Sequence, residues 1–480
     1  MGKTITIAPV TRIEGHAKVT VNLDDAGNVA DARLHTVELR GFEKFCEGRP
    51  AEEMPRIVTS ICGVCPWSHH LASAKTVDGL FGAQIPPAGR KLRELCNSVA
   101  FIEEHTLHFY FLAGADFVLG PDADPAVRNV VGIAKANPDL ARQVVKARAL
   151  AAHILQHFTG KSIHPVTAVP GGFSKPLTEA ERGELLPWAK ELLEFAKFTM
   201  AYAKENVFPK YLETIKSLGV IQTGFMGTVA EGGVLDLYDG LLRLMKSDGS
   251  HTEFAVADYA QHIGEHVEPW TYLKFPYAKA WGAFSMDPDN PSGIYRTNTL
   301  ARINVCDKIR TPLAQAEIEQ FRSQFGRPAQ ETLLYHYARL IELLYNAEYA
   351  VQLLNDPEIV SPQTRVKCEP KAGRAVASVE APRGTLIHDY ECDAQGLITA
   401  VNLIVGTTHN NAAMNMSVKT AAREVIKAGA YDQGALNRIE MAIRAYDPCL
   451  SCATHTIDGR IRLRVEILGP ADEPVGLLTN

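Results

Sequence analysis

The sequence lacks the features that would place it in a membrane, in the secretory pathway or on nucleic acid. No apolar run approaches the roughly 18 residues of a membrane-spanning helix, and the opening stretch MGKTITIAPVTRIEGH has no apolar segment typical of a secretory signal. The net charge is -6 and no block of basic residues occurs, so the charge pattern gives no case for nucleic-acid binding. These absences predict a cytoplasmic protein without a membrane span.

Motifs that bind nucleotides are also missing. The chain contains neither a GxGxxG fingerprint nor a P-loop, the patterns that hold nicotinamide, flavin or nucleoside phosphates. Internal repeats and low-complexity linkers are absent as well. At 480 residues, 46% of them hydrophobic, the chain is long enough to bury a large core.

Cysteine is scarce and odd in number. Nine cysteines in so long a chain fit free thiols in a reducing compartment better than a disulfide framework. They are Cys46, Cys62, Cys65, Cys96, Cys306, Cys368, Cys392, Cys449 and Cys452.

Hydrophobic periodicity predicts a single α+β domain that is mainly helical. Residues 3–40 alternate in short runs, which predicts a small antiparallel sheet. From about 66 to 355, apolar residues recur every three or four positions over long segments, which predicts a long-helix bundle core. A second β-like region at 375–404, a helix at about 414–428 and the strand-like run RIRLRVEIL follow. Small sheets are therefore expected from the N-terminal and C-terminal regions.

The strongest chemical signal is a pair of CxxC motifs. SICGVCPWSHH contains Cys62 and Cys65, and DPCLSCATH contains Cys449 and Cys452. Two intervening residues allow both sulfurs of a pair to reach one ion. Pro66 can open a helix, which would put Cys65 near a helix N-terminus, where the dipole favours the thiolate. Four thiolates would form a soft site suited to zinc, an iron–sulfur cluster, nickel or copper(I).

Structural zinc is the simplest interpretation of two CxxC motifs. Three features of the sequence weigh against it. Zinc ribbons usually bring their pairs within roughly 20 residues, whereas these pairs lie at opposite ends of the chain. A histidine follows each pair, His69 and His455, and ionisable residues cluster in the segments TRIEGH, RGFEKF and APRGT. A closed zinc site needs no such acid–base groups.

Seven motifs occur in order along the chain: TRIEGH (11–16), RGFE (40–43), RIVTSICGVCPWSHH (56–70), EEHTLHFY (103–110), IHPVTAVPGG (163–172), APRGT (381–385) and DPCLSCATH (447–455). Together they resemble the catalytic large subunit of nickel–iron hydrogenases, and the resemblance covers essentially the whole chain. Two softer features resemble the cytoplasmic methyl-viologen-reducing type that associates with heterodisulfide reductase, namely PWSHHLASAKTVDGLFG and VGTTHNNAAMN.

The resemblance implies a nickel–iron centre that oxidises hydrogen reversibly to protons and electrons. Cys62 and Cys449 would be terminal nickel ligands, and Cys65 and Cys452 would bridge to an iron with carbonyl and cyanide ligands. A nickel-bound thiolate, Cys449, would act as the base, and Glu14 matches the glutamate that passes the proton onward.

The resemblance also implies a cap over the open metal position. Arg383 matches an arginine that orients hydrogen there, and Pro382 and Asp447 belong to the same cap. Glu104 stands where an aspartate is common. Thr407 matches a hydroxyl that contacts a cyanide ligand, although a glycine precedes it where many members have proline.

A second ion is implied near the C-terminus. Glu43, His455 and the carbonyl of Leu403 match ligands of a magnesium ion or second iron. His164 matches a residue near the electron exit.

Electrons would have to leave through another chain. The five remaining cysteines have no cluster-like spacing, so an iron–sulfur small subunit is expected, with further electron-transfer subunits such as heterodisulfide reductase. Two other interpretations of the same ancestry stay open. One is a metal-stapled scaffold that has lost catalysis, as the related complex I subunit has, although that subunit lacks the four cysteines. The other is a hydrogen sensor.

Residues 456–480 resemble an extension that a maturation protease removes after nickel insertion, which would leave a domain of residues 1–455. The alternation of Ile461, Leu463, Val465 and Ile467 also fits an ordinary C-terminal strand.

Overall fold

The computed structural model describes residues 3–454, 464–470 and 473–479. Its α-helices are α1 Phe42–Cys46, α2 Met54–Ile57, α3 Pro66–Phe81, α4 Pro87–Thr106, α5 Gly114–Val118, α6 Val130–Ala136, α7 Pro138–Thr159, α8 Glu179–Asn206, α9 Leu212–Ser217, α10 Tyr259–His262, α11 Asn298–Val305, α12 Pro312–Phe325, α13 Tyr335–Asn355, α14 Gly406–Val425, α15 Gln433–Ala445 and α16 Leu450–Ala453.

The strands are short and belong to several small sheets. They are β1 Thr4–Ile7, β2 Ala17–Leu23, β3 Val29–Thr36, β4 Ala168–Val169, β5 Gly172–Phe173, β6 Gly224–Ala230, β7 Val234–Leu235, β8 Leu241–Met245, β9 His251–Phe254, β10 Ile263–His266, β11 Phe275–Ala278, β12 Tyr295–Arg296, β13 Gly373–Ala381, β14 Gly384–Cys392, β15 Ile398–Ile404, β16 Arg464–Leu468 and β17 Pro474–Thr479.

A bundle of four long helices forms the centre of the molecule. Helix α4 packs against α7 and α13, and α8 packs against the same two helices. Local sequence fixes their ends: Thr178 and Glu181 form a reciprocal capping box at the start of α8, and Asn137 caps α7 ahead of Pro138. Helix α4 continues into a π-helical turn, Leu107–Leu112. The predicted α+β fold with a long-helix core is confirmed.

The N-terminal and C-terminal sheets also occur where periodicity predicts them. Strands β1, β2 and β3 form an antiparallel sheet, and β13, β14 and β15 form another. Strands β13 and β14 pair from Gly373–Cys392 to Ala381–Gly384, so a two-residue turn, Pro382 and Arg383, joins them. The tail strands β16 and β17 form an antiparallel hairpin.

The sequence did not reveal one sheet, and the predicted start of one helix was wrong. The region treated as mostly helical contains a five-stranded sheet of β12, β6, β8 and β9, with β7 paired to β6. Strand β6 is buried almost throughout, so it lacks the alternation that would reveal a strand. Helix α14 begins at Gly406, not near residue 414, because its first turns contain small polar residues that are all buried. Within the described residues, no helix is both long and apolar enough to cross a bilayer.

Candidate metal centre

The four motif cysteines converge although they come from opposite ends of the chain. Cys62 follows a short 3-10 turn, and Cys65 is the N-cap of α3, with Pro66 in the first helical position. Cys449 is the N-cap of α16 and Cys452 lies inside that helix. Each pair is thus presented at the start of a helix, as expected for Cys65, and all four side chains are buried.

The sulfur atoms are close but not bonded. The Sγ–Sγ distances are 2.9 Å for Cys449–Cys452, 3.1 Å for Cys65–Cys452 and 3.3 Å for Cys62–Cys449. A disulfide requires about 2.05 Å, and all four thiols are free. The four sulfurs lie within 4.8 Å of one another, a compact soft donor set that fits one metal centre.

The four sulfurs differ in their tendency to lose a proton. Hydrogen bonds from the other cysteines, that from Cys449 above all, lower the pKa of Cys62, whereas burial raises the pKa values of Cys449 and Cys452 well above the ordinary thiol range. One sulfur can therefore be a thiolate while its neighbours stay protonated. A bound cation would displace those protons and leave four thiolates.

Glu14 lies beside the second cysteine pair. Its main-chain N–H donates to Pro448 O over 3.3 Å, and Leu450 N–H donates to Glu14 O over 3.1 Å. Ser451 donates to the carboxylate from both its hydroxyl and, over 3.1 Å, its N–H. Burial, reinforced by the negative charge of Cys62, raises the pKa of Glu14 to about 7. This carboxyl group can therefore both take up and release a proton near neutral pH.

Arg383 occupies the turn between β13 and β14 and is almost completely buried. Its Nη1 donates to Glu104, and its Nη2 lies 3.1 Å from Asp447 Oδ2. The longer side chain of Glu104, compared with the expected aspartate, therefore still reaches the arginine. Asp447 adopts a left-handed φ of 51°, which aspartate tolerates better than most residues.

Thr407 and Gly406 lie between this turn and the cysteines. The Cys449 N–H donates to Thr407 Oγ1 over 2.9 Å, so the hydroxyl hydrogen remains available for another acceptor. A Cβ at position 406 would meet the Arg383 carbonyl carbon and oxygen, each at 2.6 Å. Glycine is needed here because the Arg383 backbone leaves no room for a side chain.

We expect Gly406→Ala to destabilise the fold by about 1–3 kcal/mol through this overpacking and to displace the Arg383 backbone. Urea unfolding and a crystal structure of the variant would measure the two effects. Gly183→Ala is the matched control, since a Cβ at that helical position meets nothing within 4 Å. Equal stability of the two variants would contradict the prediction.

Two of the three residues predicted to bind a second ion, Glu43 and Leu403, are in contact, through the Leu403 N–H and not through the predicted carbonyl. Leu403 N–H donates to Glu43 Oε1 over 2.8 Å, and Lys274 Nζ lies 3.6 Å from the same oxygen. His455, the third predicted ligand, lies outside the described residues. His164 is half-buried and its Nδ1 lies 2.9 Å from Thr59 O.

Sequence reasoning missed a buried charged cluster that holds two of the motif segments together. Asp116 Oδ1 accepts from Arg12 Nη2 at 2.6 Å, and its Oδ2 accepts from Arg444 Nε at 2.7 Å. Arg444 Nη1 donates in turn to Thr11 O over 3.0 Å. The cluster thus joins the TRIEGH segment to the helix that leads into DPCLSC. Only the unusual density of charge in these segments could have indicated it.

Comparisons with known proteins agree with this geometry. A family model described as nickel-dependent hydrogenase matches residues 40–143 and 295–455, and one described as HoxL-like matches residues 4–39.

Similar proteins include subunits of two F420-non-reducing hydrogenases and one solved structure. The matching chain of the vhu F420-non-reducing hydrogenase of Methanococcus voltae is 49% identical over 89% of this chain and 100% of its own length. The matching chain of the F420-non-reducing hydrogenase of Methanothermobacter thermautotrophicus is 48% identical over 96% of both chains. The crystal structure of an NAD+-reducing [NiFe]-hydrogenase in the H2-reduced state has a TM-score of 0.89 at 44% identity and covers 94% of this chain and 99% of that chain. The chain belongs to the nickel-dependent hydrogenase family, in which it is the catalytic large subunit of a hydrogenase.

Proposed function

We propose that the four cysteines hold a nickel–iron centre, with Cys62 and Cys449 as terminal nickel ligands and Cys65 and Cys452 shared with an iron that carries carbonyl and cyanide ligands. The observation that carries this proposal is the convergence of four buried free sulfurs within 4.8 Å of one another. When bound, the centre would supply the soft, redox-active Lewis acid that heterolytic splitting of hydrogen requires.

The protein's part in this reaction is to remove the proton. Cys449 Sγ is the first acceptor in the proposal, and Glu14 is its neighbour, because the main chain of residue 14 pairs with that of residue 449. Glu14 takes the proton from Cys449 and releases it, because a pKa of about 7 allows the carboxyl group to exchange protons near neutral pH. The Ser451 hydroxyl and N–H hold the carboxylate in place.

Arg383 places a fixed positive charge close enough to Cys449 and Cys65 to interact with them electrostatically. Glu104 and Asp447 hold its two terminal nitrogens in a buried site, where electrostatic interactions are stronger than in water. We propose that the guanidinium orients and polarises hydrogen, and that Pro382 and Thr407 complete the cap around the iron ligands.

We expect Arg383→Lys to lower hydrogen oxidation by about 10²-fold, because a single ammonium cannot engage both carboxylates in the same plane. Nickel and iron contents should stay at the wild-type level, since the cysteines are untouched. Turnover assays with parallel elemental analysis would measure this. Turnover close to wild type would remove Arg383 from the mechanism.

Electrons are proposed to leave through an iron–sulfur small subunit. Within the described residues, the only group of three or more potential metal ligands is the four-cysteine cluster, which supports a partner chain as the source of the redox centres. A surface cavity of about 430 Å³ behind the first CxxC is lined by Gly63, Val64, Ser162 and Ile163. This surface, next to His164, is where we propose that the small subunit docks, with heterodisulfide reductase as a further partner of the complex.

The remaining proposals concern the second ion, the tail and the location. Magnesium, or a second iron, would bind Glu43, the Leu403 carbonyl and His455. A maturation protease would remove residues 456–480 in the cytoplasm. Intact mass of the active protein tests the cleavage, since a retained tail contradicts it.

Elemental analysis and infrared spectroscopy test the centre itself. Near-equimolar nickel, together with metal-bound carbonyl and cyanide bands, is the expected result. Zinc alone would overturn the metal assignment. Normal metals with very slow turnover would indicate a hydrogen sensor.

A further inference from the structure

Arg302, on α11, uses every N–H of its guanidinium in a fully buried site. Its Nε and Nη2 donate to the two oxygens of Glu342, each over 2.7 Å, and Nη1 donates to Glu380 Oε2 over 2.7 Å. The remaining hydrogens go to main-chain carbonyls: Nη1 donates to Ala381 O over 2.9 Å and Nη2 to Pro382 O over 3.2 Å. Five donors meet five acceptors, so the group cannot rotate without losing hydrogen bonds.

The two carbonyls belong to the turn that presents Arg383. Ala381 pairs with Gly384 to close the turn, and the Pro382 carbonyl belongs to the peptide bond that precedes the Arg383 Cα. Arg302 therefore holds the main chain immediately before Arg383. Its carboxylate partner Glu380 also accepts from the Thr385 hydroxyl over 2.9 Å, which fixes the strand on the other side of the turn.

Arg302 is also connected, through Glu342, to the helix segment that contains Glu104. Glu342 lies 3.0 Å from His105 Nε2, and His105 follows Glu104, which receives the Arg383 hydrogen bond. Arg302 is thus connected both to the backbone that presents Arg383 and to the α4 segment that holds its side chain.

We propose that Arg302 is a positioning residue for Arg383, acting through the Ala381 and Pro382 carbonyls and through the Glu342–His105 pair. This inference rests on the proposed role of Arg383. Lysine at position 302 would keep the positive charge between the two glutamates. It has three donors instead of five, so it would release the carbonyls of the turn.

The matched control is Arg93, which is equally buried. It pairs with Asp78 at 2.6 Å and donates to the carbonyls of Val169 and Gly172 over 2.9 Å and 2.7 Å. It thus has the same kinds of partners, but none of them belongs to the turn at Arg383.

We expect Arg302→Lys to reduce hydrogen oxidation by about 10²-fold, the effect of a displacement of about 1 Å in a reacting site, with nickel content retained. A crystal structure of the variant should show the Arg383 guanidinium displaced from Asp447. Arg93→Lys should show a comparable fall in melting temperature with Arg383 in place and turnover near wild type. Equal turnover of the two variants, or an undisplaced Arg383 in Arg302→Lys, would overturn the inference.

A double variant separates this inference from the role of Arg383 itself. If Arg302 acts through Arg383, the variant Arg302→Lys/Arg383→Lys should be no slower than Arg383→Lys alone. If the fold-reductions in turnover of the two single variants multiplied in the double variant, Arg302 would act independently of Arg383 and the inference would be overturned. Full activity of Arg383→Lys would instead remove the proposed role of Arg383, while the crystal structure of Arg302→Lys would still report whether Arg302 positions it.

Discussion

Cys449→Ser is expected to abolish nickel binding and hydrogen oxidation together. Cys449 Sγ contacts all three other cysteines, at 2.9 Å from Cys452, 3.3 Å from Cys62 and 3.8 Å from Cys65, so it is central to the donor set. Serine offers a harder oxygen that stays protonated at neutral pH, and soft metals bind it poorly. Nickel per chain, measured by mass spectrometry after purification, should fall to background along with turnover.

A buried cysteine outside the cluster provides the control. Cys96 is fully buried in the apolar core between helices, so Cys96→Ser should lower stability through the cost of a buried hydroxyl, about 1–3 kcal/mol, while nickel stays bound. A Cys449→Ser protein that retained nickel at the level of Cys96→Ser would contradict the four-sulfur site.

Glu14→Gln is expected to leave the metal centre intact and to slow hydrogen oxidation by about 10²–10⁴-fold, the usual contribution of a positioned proton acceptor. Glutamine keeps the size of the side chain and can still accept from Ser451, but it cannot carry a proton. The wild-type rate of oxidation should decline as pH falls through about 7, because the carboxylate that accepts the proton is then increasingly protonated. The residual activity of the variant should lack this dependence.

Glu38→Gln is the control for that experiment. Glu38 follows the first sheet and pairs with the exposed His16 at the surface, so its loss should change neither the metal content nor the pH profile. A second measurement is the exchange between hydrogen gas and deuterated solvent that Glu14→Gln catalyses. Rapid exchange with solvent in the variant would mean that Glu14 is not the relay.

The donor atoms of the centre could be predicted from the sequence, whereas the groups that hold its cap could not. The four cysteines occur in short motifs whose spacing is itself the chemical requirement. Arg302 and Glu342 meet across 40 residues inside helices with mostly apolar neighbours, and nothing local marks them as partners. Their pairing depends on tertiary packing, which short-range patterns do not contain.

The same distinction explains the errors in the fold. The N-terminal sheet alternates between buried and exposed positions, so its period is visible in the sequence. Strands β6 and β8 are buried on both faces, and their runs GFMGTVA and LLRLM resemble helical core segments as much as strands. Tertiary burial, not local preference, decides their structure.

The contact between Cys62 and Cys449, whose sulfurs lie 3.3 Å apart, has a consequence for biosynthesis. A ribosome makes Cys62 long before Cys449, which is 387 residues further along the chain, an interval of roughly 20–80 s at ordinary rates of translation. During that time the nascent chain offers only two sulfurs, a half-site open to whichever soft cation is most available. Nickel therefore has to be delivered after translation. The timing of its delivery, as well as affinity, decides which metal the finished enzyme contains.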